Sequence, residues 1–289
     1  MFDDTTRATP DGQPIRIAAS GATLSGMLYS PSSVPVAVIV LNGATGVPQR
    51  YYRNFARWLA ETRNMACLTY DYRDFGASAQ AHPRQSSATM QDWGMLDQVA
   101  ARNEMRRRYP GVPLRVVGHS LGGMMAPLQD DHHDIEQVVC VGSGLVWHRD
   151  HPWPYQALAR AFWFGHVPAL VRALGYLPGR FAGFGPDLPA SVYWQWRQWC
   201  TSRRFFFPHL GTTLPAPQWQ GATTRVSLLA MADDPICTMP AMYRLRGLYG
   251  AARTSIETID PRDHGLAKVG HLGAFARANA ALWPKLIKG

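Results

Sequence analysis

The sequence predicts an α/β chain: a mostly parallel, twisted sheet with helices on both faces. Two observations predict it. Short apolar stretches of strand length alternate with longer amphipathic stretches along most of the chain. One of those strands also runs directly into a Gly-x-Ser-x-Gly turn followed by a second helical stretch. The 289 residues, 46% hydrophobic and 17% charged, suffice for a large core and exclude a disordered chain. The 26 Gly and 22 Pro are scattered as turn punctuation and exclude a collagen-like repeat.

Two β-like stretches, 14–19 and 22–29, meet at Ser20-Gly21, which reads as a hairpin turn. The continuous apolar run at 36–41 suits a parallel strand covered on both faces. A helix is expected over 50–62, with Tyr51, Phe55, Trp58 and Leu59 on one side. The pattern then repeats: strand 66–70, helix 88–109, strand 114–117, a helix from Leu121, and strand 138–141. After an interruption come strand 226–231, helix 240–249, strand 255–259 and a closing helix over 272–286.

The interruption, 145–219, has a different composition. It holds seven of the ten Trp and seven of the eleven Phe, and its seven Arg against two Asp give a balance of +5. No strand pattern stands out, so short helices broken by Pro and Gly are expected. This predicts a core of 1–144 and 220–289 with a helical, aromatic-rich lid at 145–219, over the carboxyl ends of the strands where ligands bind in open α/β sheets.

The sharpest chemical signal is Gly118-His119-Ser120-Leu121-Gly122-Gly123, directly after an apolar strand. A tight strand-to-helix turn strains the serine backbone and exposes its Oγ, and the flanking glycines are needed because a Cβ would collide across the turn. The start of the following helix would aim N–H groups and a positive dipole end at the same spot. A serine hydroxyl needs a base, and the base needs an orienting group. Asp233 and Asp234 leave the end of the 226–231 strand; Asp234, fixed by the Asp-Pro step, is the expected acid and Asp233 the alternative. Of His264 and His271, His271 is the expected base, because it stands on a Gly-flanked loop ahead of the last helical stretch. Donors for a tetrahedral oxyanion are expected from the N–H of Leu121 and from the loop after the 36–41 strand, first Ala44 and then Thr45.

These residues resemble the α/β-hydrolase superfamily. The likeness rests on Gly118-His119-Ser120-Leu121-Gly122-Gly123, Asp71-Tyr72-Arg73-Asp74-Phe75-Gly76-Ala77-Ser78, Asp233-Asp234-Pro235 and Gly270-His271, in the order Ser, Asp, His, over residues 14 to 286. The stretch from Asn42 to Tyr52 is similar to a bacterial subgroup of hydrolases near the lysophospholipase and serine aminopeptidase branches. The resemblance implies an α/β-hydrolase fold with a lid after the sixth strand, and an esterase-type serine hydrolase acting through an acyl-enzyme, with no cofactor. Two positions depart from the pattern: Asn42-Gly43 stands where many relatives carry His-Gly, and Asp74 where Gly is usual. Acyl transfer, peptide-end hydrolysis or ligand binding without catalysis remain alternatives on the same fold.

Other features point away from further chemistry. Asp130-Asp131-His132-His133-Asp134 reads as a solvated helix end rather than a metal cluster. Met124-Met125 reads as core packing, and Cys237 as a packing thiol. The net charge is +9, yet the arginines are dispersed and form no basic stripe, so a small-molecule ester or acyl substrate is expected rather than nucleic acid. No apolar run is long enough for a membrane span. The four dispersed Cys, without a CxxC, and a start lacking signal-peptide character predict a reducing, cytoplasmic setting. The oligomeric state is left open.

Overall fold

The computed structural model describes residues 12–182, 185–219, 222–250 and 252–288. β1 (Gln13–Ala19) and β2 (Ala22–Tyr29) form the expected antiparallel hairpin, with Gly21 at φ 72° in the turn. β3 (Ala37–Asn42) leads through a 3-10 turn (Gln49–Tyr52) into α1 (Arg53–Arg63), which buries Phe55, Ala56 and Leu59. β4 (Met65–Tyr70) follows. The helix expected over 88–109 is three pieces: α2 (Met90–Asp92), a π turn (Trp93–Asp97) and α3 (Gln98–Arg108). A Cβ on Gly94 in the π turn would stand 2.4 Å from Met125 Cγ, so close packing onto the next helix coincides with the irregularity.

After β5 (Leu114–His119), α4 (Leu121–Met124) is only one turn long, shorter than the helix expected from Leu121. Gly122 and Gly123 weaken it, and Pro127 stands in the 3-10 turn that replaces it (Ala126–Leu128). β6 (Ile135–Val141) precedes the aromatic stretch. That stretch is α5 (Tyr155–Phe164), α6 (His166–Leu174), a two-stranded ribbon of β7 (Tyr176–Leu177) and β8 (Leu188–Pro189), and α7 (Ala190–Thr201). The ribbon was not legible, because two-residue strands carry no alternation. β9 (Arg225–Met231), α8 (Met239–Leu248) and β10 (Arg253–Ile259) complete the core. The closing helix expected over 272–286 is instead two 3-10 pieces (Gly273–Phe275 and Arg277–Leu282) and α9 (Lys285–Lys288). Ala276 is extended, and the Asn279 amide donates to Gly273 O at 2.9 Å, diverting a carbonyl that a helix would use.

The eight-stranded sheet has the order β1-β2-β4-β3-β5-β6-β9-β10, antiparallel at β1, β2 and β4 and parallel from β4 to β10. β3 pairs with β4 on one side and β5 on the other, so the chain reverses direction across the sheet at β3. The crevice at such a reversal, outside the carboxyl ends, is where ligands bind. Asn42 ends β3 there, and Ser120 directly follows β5. One sheet face packs Trp93, Met105 and Val116 together with Trp163, Tyr193 and Trp199 of the aromatic stretch. The other packs Phe55, Leu59, Phe275 and Trp283. Among the described residues no helix is long and apolar enough to cross a membrane.

Candidate active site

Ser120 takes φ 52° and ψ −112°, a region that costs a non-glycine residue steric energy. The glycines around it have no room for a side chain. A Cβ on Gly118 would stand 2.4 Å from Gly123 N, and one on Gly122 would stand 2.1 Å from Asn42 O. The Ser120 N–H donates to Val141 O at 2.9 Å, tying the turn to the end of β6.

The structure brings Ser120, His271 and Asp234 together. Asp234 follows β9, and its Oδ2 accepts the His271 Nδ1 proton at 2.8 Å. Its other oxygen accepts the N–H groups of Ile236 at 2.7 Å and Cys237 at 3.2 Å, so the carboxylate is held at both ends. In the tautomer with the proton on Nδ1, the imidazole presents a lone pair at Nε2. Ser120 Oγ lies 3.0 Å from that nitrogen. His264 closes a separate 3-10 turn (Pro261–His264).

Asp233, the alternative acid, has another place. Its two oxygens accept the N–H groups of Val269 at 2.8 Å and Gly270 at 2.9 Å, immediately before His271. Adjacent carboxylates thus divide the work: one orients the imidazole, and the other anchors its loop. The Tyr51 hydroxyl adds a second anchor by donating to Leu272 O.

Sequence reasoning missed a buried chain of bonds behind the site. His119 Nε2 lies 2.9 Å from His271 O, and a carbonyl only accepts, so Nε2 carries the proton. His119 Nδ1 is therefore an acceptor and takes the Tyr52 hydroxyl proton at 2.9 Å. Tyr52 Oη in turn accepts the Ala44 N–H at 2.9 Å. The loop after β3 and the loop carrying His271 are so joined through two side chains. Burial, reinforced by the neighbouring His271, pushes His119 down to about 3 and keeps it neutral. Only proximity could reveal this chain, because Tyr52 and His119 are far apart in sequence and neither belongs to a motif for it.

The expected oxyanion donors fare differently. Leu121 begins α4, so its N–H has no acceptor within the helix. The Ala44 N–H, the first choice in the loop after β3, is engaged by Tyr52. α4 is too short for a sizeable dipole, so local N–H groups matter here more than the macrodipole. The acidic run at 130–134 is not a helix end: Asp131 pairs with Arg102 at 2.6 Å and with Arg106 at 2.9 Å, and Asp134 pairs with Arg106. Cys237 is buried, and burial pushes its thiol well up, away from nucleophilic character.

A model of the alpha/beta hydrolase family matches residues 38–282. The chain belongs to this family. Solved structures of similar fold include a soluble variant of monoglyceride lipase from Saccharomyces cerevisiae in complex with a substrate analog, at TM-score 0.64 and 14% identity, covering 99% of this chain and 97% of that one. An esterase from Exiguobacterium antarcticum aligns at TM-score 0.60 and 12% identity, covering 96% and 98%. A thermophilic esterase from Thermogutta terrifontis aligns at TM-score 0.55 and 15% identity, covering 96% and 98%. No curated protein matches the chain.

Two departures of this α/β hydrolase from the family's pattern have structural accounts. Asn42 crosslinks β3 to the serine turn: its Nδ2 donates to Gly122 O at 3.2 Å, and its Oδ1 accepts the Tyr70 hydroxyl at 2.7 Å. Asp74 sits at φ 56°, where glycine is the easier residue, and its carboxylate accepts the Ser86 hydroxyl at 2.6 Å.

Proposed function

We propose that this α/β hydrolase is a serine hydrolase that cleaves a carboxylic ester or a related acyl bond. One observation carries the reading: a single imidazole, His271, is bonded through Nδ1 to Asp234 at 2.8 Å and through Nε2 to Ser120 Oγ at 3.0 Å. In the first step Ser120 Oγ bonds to the acyl carbon while its proton passes to His271 Nε2. The carbonyl electron pair moves onto oxygen, and the Leu121 N–H receives the developing charge. Because Tyr52 engages the Ala44 N–H, the Thr45 N–H takes the second place in that cradle. Collapse breaks the bond to the leaving oxygen, which takes the proton from His271. Water then repeats the sequence on the acyl-enzyme and frees Ser120. Asp234 holds the tautomer and balances the imidazolium charge. Every proton in these steps moves between side chains, water and substrate.

In this reading the stretch 145–219 is the lid over the core formed by 1–144 and 220–289. Its attachments support that place: the His151 ring bonds Pro235 O at 3.0 Å, beside Asp234, and Ser191 Oγ bonds Ala88 O in the segment after β4. Its aromatic content favours substrates with an apolar part. The test is turnover of p-nitrophenyl esters of increasing acyl length, with labelling by a fluorophosphonate. Wild type is expected to turn over at least one ester and to be labelled at Ser120. Ser120→Ala is expected to lose at least about a thousandfold in kcat and all labelling. Equal turnover by the two proteins would remove Ser120 from the mechanism.

A further inference from the structure

A cavity whose lining includes none of Ser120, His271 and Asp234 opens in the aromatic stretch. It is about 360 Å³ and is lined by Trp147, His148, Arg149, Arg160, Phe164, Thr201 and Arg203. Among the described residues no carboxylate lines it. Its three arginines are exposed and enter no ion pair among the described residues. The acids of the surrounding stretch are turned elsewhere: Asp150 binds Arg244 and the Trp147 N–H, and Asp187 accepts the Gly179 N–H. Three arginines thus share one opening without an ion-pair partner among the described residues, an arrangement that an anion relieves.

Beside the arginines stand Trp147, His148, Phe164 and Thr201. The His148 backbone N–H and Nδ1 both bond Cys200 O, at 2.8 and 3.3 Å, which locks the ring. That ring meets Phe164 edge-on at 5.1 Å, and the Arg149 guanidinium lies 5.4 Å from the centre of the Trp147 ring.

We propose that this cavity is a binding site for a phosphomonoester carrying an apolar or aromatic arm. Guanidinium groups match phosphoryl oxygens in planar, two-pronged hydrogen bonds, and three of them balance a dianion better than a single carboxylate charge. The Trp147 and Phe164 rings take the arm, and the volume falls within the range of small-molecule sites. The proposal is independent of the Ser120 reading, since none of Ser120, His271 and Asp234 lines the cavity.

The test is calorimetric titration of the full chain with phenyl phosphate, inorganic phosphate, benzoate and phenol, beside flotation with phosphatidylcholine vesicles with and without phosphatidic acid. Phenyl phosphate is expected to bind more tightly than each of the other three soluble probes. The double variant Arg160→Ala/Arg203→Ala is expected to weaken it at least about tenfold, with p-nitrophenyl ester turnover and circular dichroism unchanged. Ser120→Ala is expected to bind phenyl phosphate as wild type does. Recruitment to phosphatidic acid vesicles, lost in the double variant, identifies a lipid as the source of the phosphomonoester; binding of phenyl phosphate alone identifies a soluble one. Absence of both, benzoate binding as tight as phenyl phosphate, or binding indifferent to the two arginines overturns the proposal.

Discussion

His119 is fully buried with both ring nitrogens bonded, and it tolerates no charge. Its folded value of about 3 lies below its ordinary 6.5. Between those values the unfolded chain binds a proton that the folded chain refuses, so stability falls as pH drops through this window. One such group contributes a slope of up to about 1.4 kcal/mol per pH unit. Burial lowers His148 and His151 too, so they add slope of the same sign. Urea unfolding of His119→Gln, followed from neutral pH into the acid range, is expected to show a shallower acid loss than wild type; an unchanged slope would clear His119 of this role. Tyr52→Phe removes the acceptor of the buried Ala44 N–H and the donor to His119, and it is expected to lower unfolding free energy by about 1–3 kcal/mol. Ser120, Asp234 and His271 could be chosen from the sequence because a strained turn and a loop after a strand leave local signatures. Tyr52 could not, since its role depends on two atoms that only the folded sheet brings near.

Single loops carry the geometry, and the clearest contrast lies between two neighbouring acids. Asp234→Asn keeps the shape but gives His271 Nδ1 no charged acceptor, and it is expected to reduce kcat by about 10⁴. Asp233→Ala instead frees the N–H groups of Val269 and Gly270, so the loop carrying His271 loses its anchor. Under the proposed mechanism a loss of about ten- to a hundredfold in kcat, with KM little changed, is expected, because two hydrogen bonds to a charged group position His271 without contacting substrate. Steady-state kinetics of the pair checks both; equal losses would show that the acids do not divide the work. The same scale explains what the sequence revealed of the elements. Strands were legible because β3 and β4 are buried along their whole length and so are mostly apolar. Helix lengths were not, because side-chain details break them: Gly94 packs against Met125, thirty-one positions on, and the Asn279 amide captures Gly273 O within its own turn.

The aromatic stretch between β6 and β9 shares the molecule's main buried cluster with the sheet. Trp163, Val171, Tyr193 and Trp199 belong to the same buried cluster as Val116, Val138 and Leu228 of the sheet. Trp219, at the end of the stretch, is fully buried, meets Tyr249 edge-on at 5.1 Å and donates its indole N–H to Gln129 O at 3.1 Å. Composition marked this stretch as distinct, yet composition cannot tell aromatics that pack on one another from aromatics that also pack on the sheet. α7 is held by its buried Val192, Tyr193 and Trp199, and α5 and α6 by Trp163 and Val171, while α5 exposes Leu158 and Phe164. The full chain is therefore expected to unfold in one cooperative thermal transition. Replacing 146–218 by a flexible linker of about a dozen residues, the least that a parallel crossover needs, is expected to yield a protein that binds hydrophobic dyes and aggregates. Burying one large aromatic side chain is worth several kcal/mol, and whole domains are stable by only about 5–15 kcal/mol. Differential scanning calorimetry of the two proteins decides the point: a shortened chain melting as sharply and as high as the full one would mean that the stretch is a separable cover after all.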